Sequence, residues 1–250
     1  MTIQPNYPMV NLGNLYVQGG KLSFVTGTSI TIAAGQFRDS QNINDIVLSS
    51  TATINAATNG ANGLDSGSLA NSTLYAVYVI ADSTGYNASA GLLSTSFTAP
   101  TLPAGYDMFR RLGTVLTSGA AAILDFNQAG TGGGRAMWYA AAVGTAVTAG
   151  ASTTFAVVDC SAIVPSTASQ ILLKAALTAD AGGTRTAAFK SLDSSSAAGQ
   201  AFLSSAASTT TTVSVACPCA TVTNVTGVDY LVSNGSAALA VSVSGYVDQL

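Results

Sequence analysis

The chain contains no histidine and no glutamate, and only 8% of its 250 residues are charged. Proton transfer near neutral pH draws on a histidine or a tuned carboxylate, and aspartate is the only acid here. A Ser-His-Asp triad lacks its base, and Gly63-Leu64-Asp65-Ser66-Gly67 misses the Gly-x-Ser-x-Gly spacing of a nucleophile elbow. A phosphate-binding loop is absent as well: Gly19-Gly20-Lys21 is followed by Leu22, and Leu15 stands where the first glycine belongs. The expectation is a protein that works by shape and assembly, with no catalytic residue and no cofactor.

Positive charge is scarce and scattered. Eight basic residues face eleven acidic ones, for a net charge of −3, and only Arg110 and Arg111 are adjacent. Displacing counterions from phosphates takes clustered Lys and Arg, which excludes nucleic acid as a partner. Long runs of bulky aliphatic residues are missing too. The uncharged stretch from Ala136 is diluted by Ala, Gly, Thr and Ser and reads as strand, so membrane insertion is not expected. Met1–Pro8 has neither the basic nor the apolar part of a secretory leader. Cysteine is limited to Cys160, Cys217 and Cys219, and without histidine these cannot complete an ordinary zinc site. Buried free thiols in a reducing compartment are expected, with no metal.

What is present is strand-like. Apolar residues make up 48% of the chain, with a mean hydropathy of +0.42, enough to offset the entropy of ordering the backbone. Leu239–Ser244, Ile30–Ile32 and Val213–Val215 alternate with period two. Leu74–Ala81 is apolar on both faces, β-branched and aromatic, and predicts a strand covered on both sides. Asp82-Ser83-Thr84-Gly85 should reverse the chain after it, and Asn234-Gly235 predicts a hairpin between Tyr230–Val232 and the last strand. Helix signals are weak, and one short helix is the most the sequence allows.

Ala129–Gly134 is a Gly-rich joint. The predicted architecture is therefore all-β, two antiparallel β-sandwich or jelly-roll-like modules with little helix: an N-terminal module over 1–128, the joint at 129–134 and a C-terminal sandwich over 135–250. Ser194–Gly227 carries no charge and is saturated with Ser, Thr, Ala and Gly. Such strands suit sheets packed against other chains, where long charged side chains would have to be desolvated.

Candidate functional residues fall into three groups. Asp107–Gly113 is the one concentration of charge beside aromatics: it is either an ion-paired strand entry, with Asp107 near Arg110, or a contact surface, which makes Tyr106, Phe109, Arg110 and Arg111 candidate partner contacts. Tyr86, Trp138 and Tyr139 are candidate platforms for a host-surface glycan. Asp39, Asp45, Asp65, Asp82, Asp107 and Asp125 could supply the carboxylate pair of a glycan depolymerase, although no spacing selects two of them. The sequons at Asn71, Asn87, Asn224 and Asn234 follow from a composition rich in Asn, Ser and Thr.

The stretch Leu74–Ile80, the turn at Gly85, Ser94–Tyr106 with Pro100 and Pro103, and Arg110–Val115 together resemble a module of tailed-bacteriophage virion proteins, tail-fibre-like and other exterior components. The resemblance covers residues 36–128, and a weaker likeness to small phage β-sandwich modules covers the second part. It implies a virion structural protein, assembled in the bacterial cytoplasm and exposed on the virion exterior as a tail or collar appendage. Its partners would be other virion proteins and further copies of itself, with a homotrimer favoured, and residues 1–16 would form a docking arm. A capsid decoration protein, a carbohydrate-binding receptor module and an aspartate-based depolymerase are the alternatives.

Overall fold

The computed structural model describes residues 16–130 and 132–250. The docking arm expected at 1–16 therefore lies outside the described residues, apart from Tyr16. Among them there is no helix, and 56% of the chain is strand. The first stretch contributes β1 (Val17–Gly19), β2 (Leu22–Thr26), β3 (Ser29–Ile32), β4 (Gly35–Arg38), β5 (Asp45–Leu48), β6 (Ala52–Asn55) and β7 (Gly63–Leu64). There follow β8 (Leu74–Ala81), β9 (Ala90–Ser94), β10 (Met108–Leu116), β11 (Phe126–Ala129) and β12 (Gly134–Gly150). The remainder are β13 (Ala156–Asp159), β14 (Ala168–Thr178), β15 (Arg185–Ser191), β16 (Ala201–Ser205), β17 (Thr210–Pro218), β18 (Ala220–Val222), β19 (Val225–Val232) and β20 (Ala238–Gln249).

Four sheets result. An eight-stranded sheet has the order β17-β14-β20-β12-β11-β2-β3-β6, and a four-stranded sheet the order β10-β8-β9-β7. β13-β19-β15-β16, with β18 paired to β19, make a third, and β1-β4-β5 the smallest. Every pair of strands is antiparallel except β7 with β9. All four sheets feed one continuous apolar cluster, from Phe37 and Ile46 through Val79 and Leu112 to Ile171, Phe189 and Tyr246.

The Gly-rich joint is the turn of the β11–β12 hairpin, with Gly130 and Gly132 at positive φ. The eight-stranded sheet draws β2, β3, β6 and β11 from one side of that turn and β12, β14, β17 and β20 from the other. The residues expected to form two modules are thus hydrogen-bonded into one shared sheet.

The core strand falls where its composition puts it. β8 is buried along Tyr75–Ala81, Val77 and Val79 facing the main core and Tyr78 and Ile80 the opposite side. Residues 95–107, stiffened by Pro100 and Pro103, cross that second side and lay Phe97, Leu102 and Tyr106 over it. The crossing thus covers a face of the sheet. The turn at Asp82–Gly85 does reverse the chain, because β9 pairs back on β8.

Asn234-Gly235 does not make the expected hairpin. β19 pairs with β13, β15 and β18, whereas β20 pairs with β12 and β14, so the turn carries the chain from one sheet to another. The reason is local. A two-residue hairpin of type I′ needs positive φ at both central residues, and neither Asn234 nor Gly235 adopts it. Instead the Asn234 side chain accepts the Ser236 N–H at 2.9 Å and its carbonyl accepts the Ala237 N–H at 3.0 Å, the self-bonded turn that Asn favours.

Candidate functional site

The four candidate partner contacts divide between interior and surface. Arg111 points inward from β10 and pairs with Asp248 of β20, Nη1 to Oδ2 at 2.6 Å, while its Nη2 donates to the Gln249 carbonyl. Asp248 is 0% exposed and also accepts from Thr167 Oγ1 at 2.6 Å and Thr114 Oγ1 at 3.2 Å. A buried carboxylate surrounded by donors is compensated and fastens the end of β20 onto β10.

Arg135 of β12 does the same beside it. It is buried and donates to the Gly20 carbonyl at 2.8 Å, the Gly19 carbonyl at 2.5 Å and Gln128 Oε1 at 3.1 Å. Gln128 in turn accepts the Leu22 N–H at 2.7 Å and donates to the Leu112 carbonyl at 3.1 Å.

Arg110 is 3% exposed, and its Nε and Nη2 have no hydrogen-bond partner. The expected pair with Asp107 does not form, because Asp107 accepts from the Ser83 N–H at 2.8 Å and from its hydroxyl. The nearby acid, Asp39, is engaged by the N–H groups of Ile43 and Asn44 and by the Asn44 amide. Burial lowers the Arg110 pKa, the neighbouring Arg111 charge pushes the same way, and Asp39 opposes them. Both arginines belong to the interior of this chain, which removes them from the surface a partner could touch.

Of the glycan candidates, Tyr139 is also interior: its hydroxyl donates to the Ile163 carbonyl at 3.0 Å and its ring meets Tyr246 edge-on at 6.2 Å. Trp138 is 40% exposed on β12, with Asn127 and Gly245 as its cross-strand neighbours. Tyr86 is 91% exposed on the β8–β9 hairpin.

Tyr86 and Tyr106 do come together. With Asp82, Thr84, Asn87, Gly105 and Asp107 they line an open concavity of about 500 Å³. Its floor is braced. Asp82 Oδ1 accepts the Thr84 N–H at 2.8 Å and the Thr84 hydroxyl at 2.6 Å, and Oδ2 accepts the Asn87 N–H and amide at 3.0 Å each. The Asn87 amide bridges on to the Gly105 carbonyl at 3.0 Å, and the Tyr106 hydroxyl donates to the Ala88 carbonyl at 3.0 Å. These bonds hold the hairpin against the crossing segment. The Thr84 hydroxyl, with the backbone donors of Asn87 and Thr84, depresses the Asp82 pKa, so this carboxylate stays charged and is no general acid.

The arrangement suits surface recognition, with one unencumbered aromatic ring held on a braced, charged turn. Sequence reasoning named the two tyrosines, counted Asp82 both as a turn residue and among six candidate carboxylates, and took Asn87 only as a sequon. The spacing Asp82-x-Thr84 with Asn87 five residues on, the pattern of an Asx-braced turn, was the signal. Among the described residues no group of three or more Cys or Asp side chains is placed to hold a metal ion, and no helix is long and apolar enough to cross a membrane.

Comparison with protein-family models, with curated proteins and with solved structures finds no match for this chain.

Proposed function

We propose that this chain is a non-enzymatic structural component of a bacteriophage particle, a self-associating tail or collar appendage docked on other virion proteins and exposed outside. One observation carries the reading: of the few charges the chain has, Asp39, Arg110, Arg111, Arg135 and Asp248 are buried. Arg111, Arg135 and Asp248 brace the chain's own sheets, and stretches such as Ser194–Gly227 carry no charge, so neighbours can cover them without desolvating any. The resemblance of residues 36–128 to phage exterior modules supplies the setting. Antibody labelling of intact particles tests it. Label on tail or collar is expected, label on the head moves the chain to capsid decoration, and particles that carry none of the chain refute the reading.

The concavity under Tyr86 favours a second role, contact with a host-surface glycan, since an aromatic ring at 91% exposure on a braced hairpin is a stacking platform. Tyr86→Ala should lower adsorption to host cells several-fold while particles assemble normally. Unchanged adsorption removes this role.

A further inference from the structure

The long edge of the eight-stranded sheet, β17, is bare. Two hydrogen bonds at its ends fix the phase of its pairing with β14: the Ala179 N–H donates to the Thr209 carbonyl at 2.9 Å, and the Cys219 N–H to the Ser169 carbonyl at 3.1 Å. Both belong to the register that opposes Thr178 to Thr210 and Gln170 to Pro218. Hydrogen-bonded pairs alternate along an antiparallel ladder, so the odd-numbered residues of β17 bond to β14. The N–H and C=O groups of Thr210, Thr212, Ser214 and Ala216 then point away from the sheet, and no described residue pairs with them.

Natural sheets protect such an edge with charge, a bulge, an early proline or a covering loop. β17 reads TTTVSVACP, carries no charge and pairs with β14 without a register shift, and its one proline comes last. Elsewhere the same chain does cover an edge. β10 is the other nine-residue edge strand, and its carbonyls at Phe109, Leu112 and Thr114 accept from the Ser40 N–H, the Gln128 amide and the Tyr246 hydroxyl.

We infer that β17 pairs antiparallel with β17 of a second copy about a twofold axis through Val213. In this register Thr212 faces Ser214 of the second copy and Thr210 faces Ala216, so all four outward residues find outward partners. The ladder gains roughly eight hydrogen bonds, two per pair. Sliding by one pair in one direction brings in Pro218, which has no N–H. Sliding in the other brings in Ser208, whose N–H already donates to the Asp180 carbonyl at 3.0 Å and whose φ is 57°. No like charges oppose each other, Thr212 and Ser214 make a hydroxyl pair, and the half-buried Val213 is covered by its own counterpart. The result is an isologous dimer contact in place of the trimer that the resemblance favoured. The inference rests on the self-association proposed above, but not on a location in the virion.

The test uses the full chain in sedimentation velocity over a concentration series. The wild type should dimerise, and T212K/S214K, which sets lysine against lysine twice, should raise the dissociation constant about tenfold or more with an unchanged circular-dichroism melt. Val213→Cys should give a covalent dimer under mild oxidation that the wild type does not, because Cα atoms of a non-hydrogen-bonded pair lie about 4.5 Å apart, within disulfide reach. A wild type that stays monomeric throughout overturns the inference. So does an oligomer indifferent to T212K/S214K, and in that case self-association survives and only its place on β17 falls. Particle labelling is read independently of either result.

Discussion

β10 and β17 are edge strands of equal length in the same chain, and they are finished in opposite ways. β10 is buried along nearly its whole length, its outward carbonyls are capped by Ser40, Gln128 and Tyr246, and Arg111 beside them is clamped to Asp248. Alternate residues of β17 are exposed, small and uncharged, with their backbone groups free. At β10 the edge is satisfied from within by the Gln128 and Tyr246 side chains and the Ser40 N–H, and among the described residues nothing comparable reaches β17. The edge left without them is the one suited to another chain.

Removing the clamp should have the largest effect. Asp248→Ala leaves the Arg111 guanidinium buried without its counter-ion and should destabilise the fold by about 3–5 kcal/mol, read as a lower urea midpoint. A loss below 1 kcal/mol would mean that water reaches this seam. Tyr246→Phe is gentler: it leaves the buried Thr114 carbonyl without its 2.7 Å donor and should lower stability by about 1–2 kcal/mol. On β17, Thr212→Lys alone should stay within about 0.5 kcal/mol of the wild type, because its side chain already faces solvent. A larger loss would show that this edge is covered within the chain and erase the contrast.

The smallest effect is with pH across the neutral range. Burial pushes the thiols of Cys160, Cys217 and Cys219 up to about 12, 11 and 12, and the Tyr78 phenol to about 12. Unfolded values lie near ~8.5 for thiols and ~10 for phenols. The folded pKa is the higher in each case, so this stabilisation is complete below the unfolded values and is lost as pH rises through them towards 11 to 12. With neither histidine nor glutamate, the melting temperature should be flat between about pH 5 and 8 and fall above about 9. A transition between 5 and 8 would contradict that.

Strand content, the doubly covered β8 and the reversal at Asp82–Gly85 were legible because each rests on neighbouring residues. Period two puts alternate side chains on one face, and an Asp-x-Thr turn closes on itself. Asn234-Gly235 shows the limit: the dipeptide marked the turn correctly, but whether β19 and β20 lie side by side depends on strands far away in sequence. Arg110 and Arg111 show it again. A charged pair next to Phe109 looks like a surface patch until β20 and the 39–44 loop close over it. The concavity was half visible, as two tyrosines twenty residues apart that become neighbours only because β8 and β10 pair.

By itself, the sequence determined that the protein is all-β, that its apolar strands form a core, and that it has almost nothing to move protons with; these follow from composition and local alternation. Only the tertiary structure decided that one sheet runs through the Gly-rich turn, that Asp39, Arg110, Arg111, Arg135 and Asp248 are turned inward, and that β10 is closed while β17 is open. Those outcomes depend on which distant strands pair and in what register, and pairing is a property of the whole set of strands competing for one another's hydrogen bonds.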